Sequence, residues 1–103
     1  MAQFDVHTNP NPATQGEIPY LLDIQSDLLE PLATRVVVPL VRLSAMKPAR
    51  HLNPVFRVNG EEVVMSTAEL AGVVKGALGE RVGSLATRRD EITRAIDFLL
   101  AGI

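Results

Sequence analysis

Apolar and polar positions along the chain change their period once, and that change separates a long first part from a short last one. Near the start, Phe4 and Val6 alternate with Gln3, Asp5 and His7, the period of two that a half-buried strand requires. Tyr20–Ile24 reads as a second strand and Arg35–Arg42 as a third, rich in β-branched valine. Pro39 falls inside the third run, and because proline donates no backbone hydrogen bond it predicts an edge position or a bulge there. Val55–Val58 and Glu62–Met65 flank Asn59-Gly60-Glu61, where Asn-Gly supplies the positive φ angles of a tight hairpin turn. From Ile92 onward the period lengthens. Ile92, Ala95, Ile96, Leu99 and Ile103 recur at spacings of three and four and make one apolar helical face. Thr87-Arg-Arg-Asp90 resembles a capping box ahead of it, with Asp90 in the place of the usual glutamate, and Gly102 supplies a stop. Asp90 and Glu91 stand one turn before Arg94 and decorate the opposite face.

Proline and glycine placement sharpens this division. All seven prolines lie within the first 54 residues, which argues against helix there, and six of the seven glycines lie from Gly60 onward. Asn9–Gly16, with two Asn-Pro steps and a glycine, is a loop by composition. Gly72–Gly83 carries four glycines among short apolar pieces and predicts turns with one short strand. The expectation is a single domain spanning residues 1–103, β-rich over 1–83 with a helix over about 87–100. Its class is mainly β (α+β), an antiparallel sheet closed by one C-terminal helix.

Composition removes whole classes of chemistry. Of 103 residues, 47% are hydrophobic and 21% charged, the balance of an ordinary globular domain. Ten basic residues against twelve acidic ones give a formal charge of −2, which does not favour a nucleic-acid coat. The absence of cysteine excludes disulfides, thiolate metal sites and cysteine nucleophiles together. No apolar run approaches the ~20 residues of a membrane span. No basic start followed by an apolar run marks a secretory signal, so a soluble cytoplasmic protein is expected.

Candidate catalytic residues are sparse. His7 and His51 stand alone, with no carboxylate or second histidine at metal-binding spacing, and read as surface or loop residues. Gln25-Ser26-Asp27 places a hydroxyl beside a carboxylate without a base to activate it, so a turn or capping role is expected. The glycines between Gly72 and Gly83 lack the Gly-Lys-Ser/Thr ending of a phosphate loop. Glu61-Glu62, beside the hairpin turn, serves solubility. No metal or cofactor is expected. The residues that ask for a use are Phe98, Leu99, Leu100, Ala101 and Ile103, an almost unbroken apolar tail. Such a tail packs into its own core, against a copy of itself, or onto a partner, and a symmetric dimer satisfies more than one of these.

The order and spacing of several segments resemble the CcdB family of toxins from bacterial toxin–antitoxin operons. The resemblance rests on Gln3-Phe4 with Val6, Asp23-Ile24-Gln25-Ser26-Asp27 with Leu28-Leu29, Arg35, Val38-Pro39-Leu40 and Leu52-Asn53-Pro54-Val55. It continues through the turn after Val58 to Ala95-Ile96-Asp97-Phe98 and the terminal Gly102-Ile103. It implies a small SH3-like antiparallel barrel or sheet with a C-terminal helix, forming a homodimer whose helices lie near the two-fold axis. It further implies a non-enzymatic toxin that binds the A subunit of DNA gyrase and traps the enzyme with its DNA cleaved. A CcdA-like antitoxin would neutralise it and form a repressor complex on operator DNA. The gyrase surface carried over by the resemblance comprises Leu28, Leu29, Asp97, Leu100, Ala101, Gly102 and Ile103, while Ile92, Ile96 and Leu99 form the core or dimer side of the helix.

Three positions depart from the family pattern: Ala101 stands where the well-known toxins carry tryptophan, Asp97 where they carry asparagine, and Leu100 where they carry phenylalanine. An interface tryptophan supplies area and a cation–π contact that alanine cannot. Two alternatives therefore stay open. One is a chromosomal relative with weakened, lost or redirected toxicity. The other is a MazF/Kid-like endoribonuclease on the same fold, for which Arg35, Arg57 and His51 are the available groups. The loop segments around Asn9–Gly16 and Ser44–Asn53 are expected antitoxin contacts.

Overall fold

A computed structural model describes residues 1–102. Seven strands and one α-helix follow in order: β1 Asp5–Thr8, β2 Tyr20–Asp23, β3 Thr34–Arg42, β4 Val55–Val58, β5 Glu61–Met65, β6 Ala71–Val74, β7 Arg81–Ser84 and α1 Arg89–Ala101. All pairings are antiparallel, in the order β4-β5-β3-β2-β1-β7, with β6 added beside β3. The sheet curls into a half-barrel that wraps its apolar face round the helix.

Strand alternation explains which side chains meet. Val6, Leu22, Val38, Leu40, Val63, Met65, Phe56 and Val58 fall on one face and form the core with Phe4, Leu85, Ile92 and Ala95. Alternation then sends Asp5, His7, Asp23, Arg35, Val37, Val41 and Val64 to the other face, and these are buried as well. Asp5 and His7 thus depart from the half-buried strand expected of β1, and His7 is not a surface residue. The reason is topological. Because β6 lies beside β3 and β7 lies beside β1, the segment between them has to cross the sheet. His7 Nδ1 lies 3.1 Å from Gly79 O, which brings the end of that crossing to the His7 side, and Leu78 is buried along it. A carbonyl only accepts, so Nδ1 donates to Gly79 O, while His7 Nε2 is buried without a partner. Gly79 has no alternative at this close approach: a Cβ there would lie 2.7 Å from Thr8 O.

Pro39 is not at an edge. β3 is central, paired with β2 along one side and with β6 and then β5 along the other. Val36 turns its carbonyl toward β2, accepting from Ile24 N–H, so alternation turns the Pro39 backbone the other way, where its carbonyl accepts from Ser66 N–H. On that side β6 pairs as far as Val37 and β5 begins at Leu40. The missing donor therefore falls at the changeover between two neighbours, where no ladder bond is lost.

The remaining local differences have equally local causes. Val58 pairs with Glu61, so the hairpin turn is Asn59-Gly60 alone, with φ of 51° and 78°, and Glu61 already belongs to β5. Residues 72–83 contribute to two strands rather than one, because β3 and β1 each offer an edge for them to complete. Thr87 does not cap the helix. It sits inside a 3-10 turn, Ala86–Arg88, whose entry is held by Ser84 Oγ accepting from Ala86 N–H at 3.1 Å. Arg88 occupies the cap position without a capping bond, and its guanidinium instead grips Glu91 at 2.6 and 2.9 Å while lying 5.0 Å from the Phe56 ring centroid. Glu91 is therefore tied to Arg88, not to Arg94.

Candidate functional site

The segment between β2 and β3 is the most heavily cross-linked loop in the chain. Asp23, at the end of β2, accepts from Gln25 N–H at 3.0 Å through one oxygen. Its other oxygen accepts from Arg35 Nε at 2.8 Å and lies 2.7 Å from Arg35 Nη2. Gln25 spans the loop mouth: its amide donates to Leu29 O at 3.2 Å and Thr34 O at 3.1 Å, and its carbonyl accepts from Val36 N–H at 3.0 Å. Arg35 is fully buried and uses a third nitrogen on Glu30 at 3.0 Å, and Lys75 from beyond β6 reaches Glu30 O at 2.7 Å. The Lys75 ammonium holds the Glu30 carboxyl below the usual carboxylate range. From the N-terminal side, Gln3 donates its backbone N–H to Asp27 at 2.8 Å and its side-chain amide to Ile24 O at 3.2 Å. Ser26 Oγ caps the 3-10 turn Asp27–Leu29 by accepting from Leu28 N–H.

All this polar wiring presents apolar side chains to water. Leu28 is 90% exposed, and Leu29 and Leu32 are each about half exposed. At the other end of the chain Leu100 is 77% exposed, and Asp97, Ala101 and Gly102 are exposed beside it. Gly102 ends the helix in the left-handed region at φ 73°, donating to Phe98 O at 2.8 Å. Ile103 lies outside the described residues. On the inner side of α1, Ile92 is fully buried, Ile96 packs against the core while partly exposed, and Leu99 is half-buried.

Sequence reasoning singled out the leucines but not what holds them. Gln3 and Gln25 belong to segments that carry the resemblance, but nothing there says what they bond; Glu30 and Lys75 carry no motif, and Lys75 lies 45 residues from Glu30. The one signal available was Arg35, a charge opening a valine-rich strand that a buried ion pair explains. The three residues named for an endoribonuclease lie in separate settings. Arg35 is sealed against Asp23, Arg57 faces Glu62 across the hairpin at 3.6 Å, and His51 lies on the loop before β4. Among the described residues no group of histidine and carboxylate side chains is placed to hold a metal ion, and no helix is long and apolar enough to cross a membrane.

Known proteins bear on this arrangement in two ways. One similar solved structure is described as an endoribonuclease in complex with its cognate antitoxin from Mycobacterial species; it superposes with a TM-score of 0.75 at 14% identity, covering 97% of this chain and 94% of that one. At that identity the likeness establishes the fold. The family model described as CcdB protein matches residues 3–102, which takes in the wired loop, the leucine turn and the exposed end of α1. With nearly its whole length matched, the chain belongs to the CcdB protein family.

Proposed function

We propose that this CcdB-family protein is the toxin of a toxin–antitoxin module and acts by binding the A subunit of DNA gyrase, trapping the enzyme on cleaved DNA. The observation that carries this reading is the turn Asp27–Leu29. A chain that only needed to fold would not hold a leucine 90% exposed on a loop tied down at both ends by buried polar bonds. An apolar patch on a rigid mount is the construction of a docking surface, since little ordering entropy remains to be lost when a partner arrives.

Leu28 and Leu29 form one half of that surface, and Asp97, Leu100, Ala101, Gly102 and Ile103 form the other. Ile96 and Leu99, left partly uncovered, contribute to a homodimer contact along α1. The toxin works by binding and performs no chemistry itself. A CcdA-like antitoxin neutralises it in the cytoplasm, and operator DNA is reached only through that complex. The family supports the toxin assignment, and the fold shared with an antitoxin-bound protein supports the antitoxin.

The test is a supercoiling and DNA-cleavage assay with bacterial gyrase and the purified protein. Trapped cleaved DNA is the expected result, with Ala101→Trp strengthening inhibition by about tenfold or more through the added interface area. No effect on gyrase at high concentration would reassign the protein as a CcdB relative with lost or redirected toxicity, and Ala101→Trp without change would remove the tail from the gyrase surface.

A further inference from the structure

The chain carries ten lysines and arginines, and their partners are unevenly distributed. Arg35, Arg42, Arg57, Lys75, Arg81 and Arg88 pair with carboxylates. Arg89 lies 5.5 Å from the centroid of the Phe4 ring. Among the described residues, Lys47, Arg50, Arg89 and Arg94 make no ion pair, and two of them, Arg50 and Arg94, share one cleft. Arg50 and Arg94 line a cleft of about 380 Å³ between the loop before β4 and the first half of α1, and Lys47 precedes Pro48 in its wall. In a chain of net charge −2, the cleft joins two cations that no carboxylate neutralises, with a third, Lys47, adjacent in sequence to its wall.

The cleft is also built rather than left over. Asn53, itself buried, ties the loop closed: its side-chain carbonyl accepts from Ala49 N–H at 2.9 Å and its amide donates to Met65 O at 3.0 Å. His51 sits in the left-handed region at φ 69°, which costs a non-glycine residue backbone energy, and that conformation keeps its exposed ring 6.0 Å from the Phe98 ring. The one carboxylate in the lining, Glu91, is already gripped by Arg88 through both oxygens. Pro48 and Pro54 supply flat apolar walls.

We infer that this cleft binds a phosphate monoester carried on a flat ring, the chemistry of a nucleotide, with Arg50 and Arg94 as the phosphate forks, Lys47 as a further charge and His51 with the prolines against the ring. Guanidinium forks match phosphate oxygens bidentately. The volume lies near the lower end of the ~300–1,000 Å³ typical of small-molecule sites, which suits one nucleotide and is too small for several residues of extended peptide. The ligand's source is either a free nucleotide or the phosphorylated end of a single-stranded nucleic acid. This site is independent of the gyrase reading.

Titration calorimetry on the full chain with AMP, adenosine, a 5′-phosphorylated tetraribonucleotide and an Asp/Glu-rich peptide tests it. AMP is expected to bind and adenosine not. Arg50→Gln and Arg94→Gln should each weaken AMP by about tenfold and Lys47→Gln by less, since charge-assisted bonds are lost in proportion to their directness. Arg57→Gln, whose charge is engaged in the hairpin, should leave binding unchanged. The tetraribonucleotide binding more tightly than AMP supports the nucleic-acid source, and AMP alone supports the free nucleotide. Adenosine binding as well as AMP, variants binding like the parent, or the acidic peptide binding while AMP does not would each overturn the inference. The last result would return this loop to antitoxin docking. Circular dichroism of the Lys47, Arg50 and Arg94 variants, whose altered side chains make no ion pair or hydrogen bond among the described residues, separates lost binding from lost fold.

Discussion

The two faces of the sheet are buried by opposite means. On the helix side, apolar side chains from six strands meet Ile92 and Ala95, and the packing there is a matter of volume and fit. On the far side, the buried set includes Asp5, His7, Asp23 and Arg35, fixed by directional bonds to named partners. The first face holds the fold together and would tolerate many apolar substitutions of similar volume. The second face is intolerant, because a buried charge has only the partner it was given, and in return it sets the position of a loop that faces solvent. Stability resides mainly on one side of the sheet and positioning on the other.

The sharpest way to break this contrast is Arg35→Ala. It strands Asp23 without its cation and leaves Glu30 to Lys75 alone, and it should cost roughly 3–5 kcal/mol, because an uncompensated buried charge remains. Urea denaturation measures the loss. The pair replaced together, Arg35→Met with Asp23→Leu, should recover most of that stability while the proposed gyrase inhibition stays low, since the loop has lost its mount. A double variant active on gyrase would mean that the polar face does not position the leucines.

Ile92→Ala on the other face should cost roughly 2–5 kcal/mol by cavity formation, measured in the same way. Here the surface functions should persist in the fraction that stays folded, because no polar bond to the loop changes. Acid probes the ion pairs without mutation. Burial pushes the Asp5 carboxyl up, but the Ala2 N–H and the Arg81 guanidinium outweigh it and hold it below its ordinary value. Glu30 beside Lys75 and Glu91 beside Arg88 are lowered too. Unfolded, these groups take up protons near pH ~4; folded, they do so only at lower pH, so their stabilisation is present above ~4 and is lost as pH falls through the folded values. Stability followed by circular dichroism should decline below that point, with Asp5→Asn showing a shallower decline. The smallest effect on stability belongs to Leu28→Ser, expected within about 0.5 kcal/mol because the side chain is exposed, although it should reduce the proposed gyrase inhibition the most among loop variants.

How much of this was legible in the chain follows the same division. The apolar face could be read because its signals are local: valine alternation in β3, Asn59-Gly60 between two short runs, and the three-and-four spacing from Ile92 to Leu99. Pro39 was misleading because its tolerance depends on where β6 gives way to β5, a property of partners and not of the residue. The strands at Ala71–Val74 and Arg81–Ser84 were hidden because they have little side-chain pattern of their own and form on edges offered by distant strands. His7 looked like a loop or surface histidine because nothing near it in sequence announces that residues 75–80 pass over it. Leu28 and Leu29 were found through a resemblance whose segment also holds Gln25, while the bonds that Gln25 and Lys75 make could be found only by seeing which atoms they reach.

The pairing of β1 with β7 has a consequence in time. Asp5 meets Ser84 and Val6 meets Gly83, so one side of β1 cannot be completed until a segment nearly the whole domain away has arrived, and α1 comes later still. Closing so long a loop before any contact rewards it makes for a late, concerted assembly, on the order of milliseconds to seconds for sheet topologies of this kind. Until then β1 offers a free edge and the leucine turn has no Lys75 beneath it, so a half-made chain is prone to aggregate before it can be toxic.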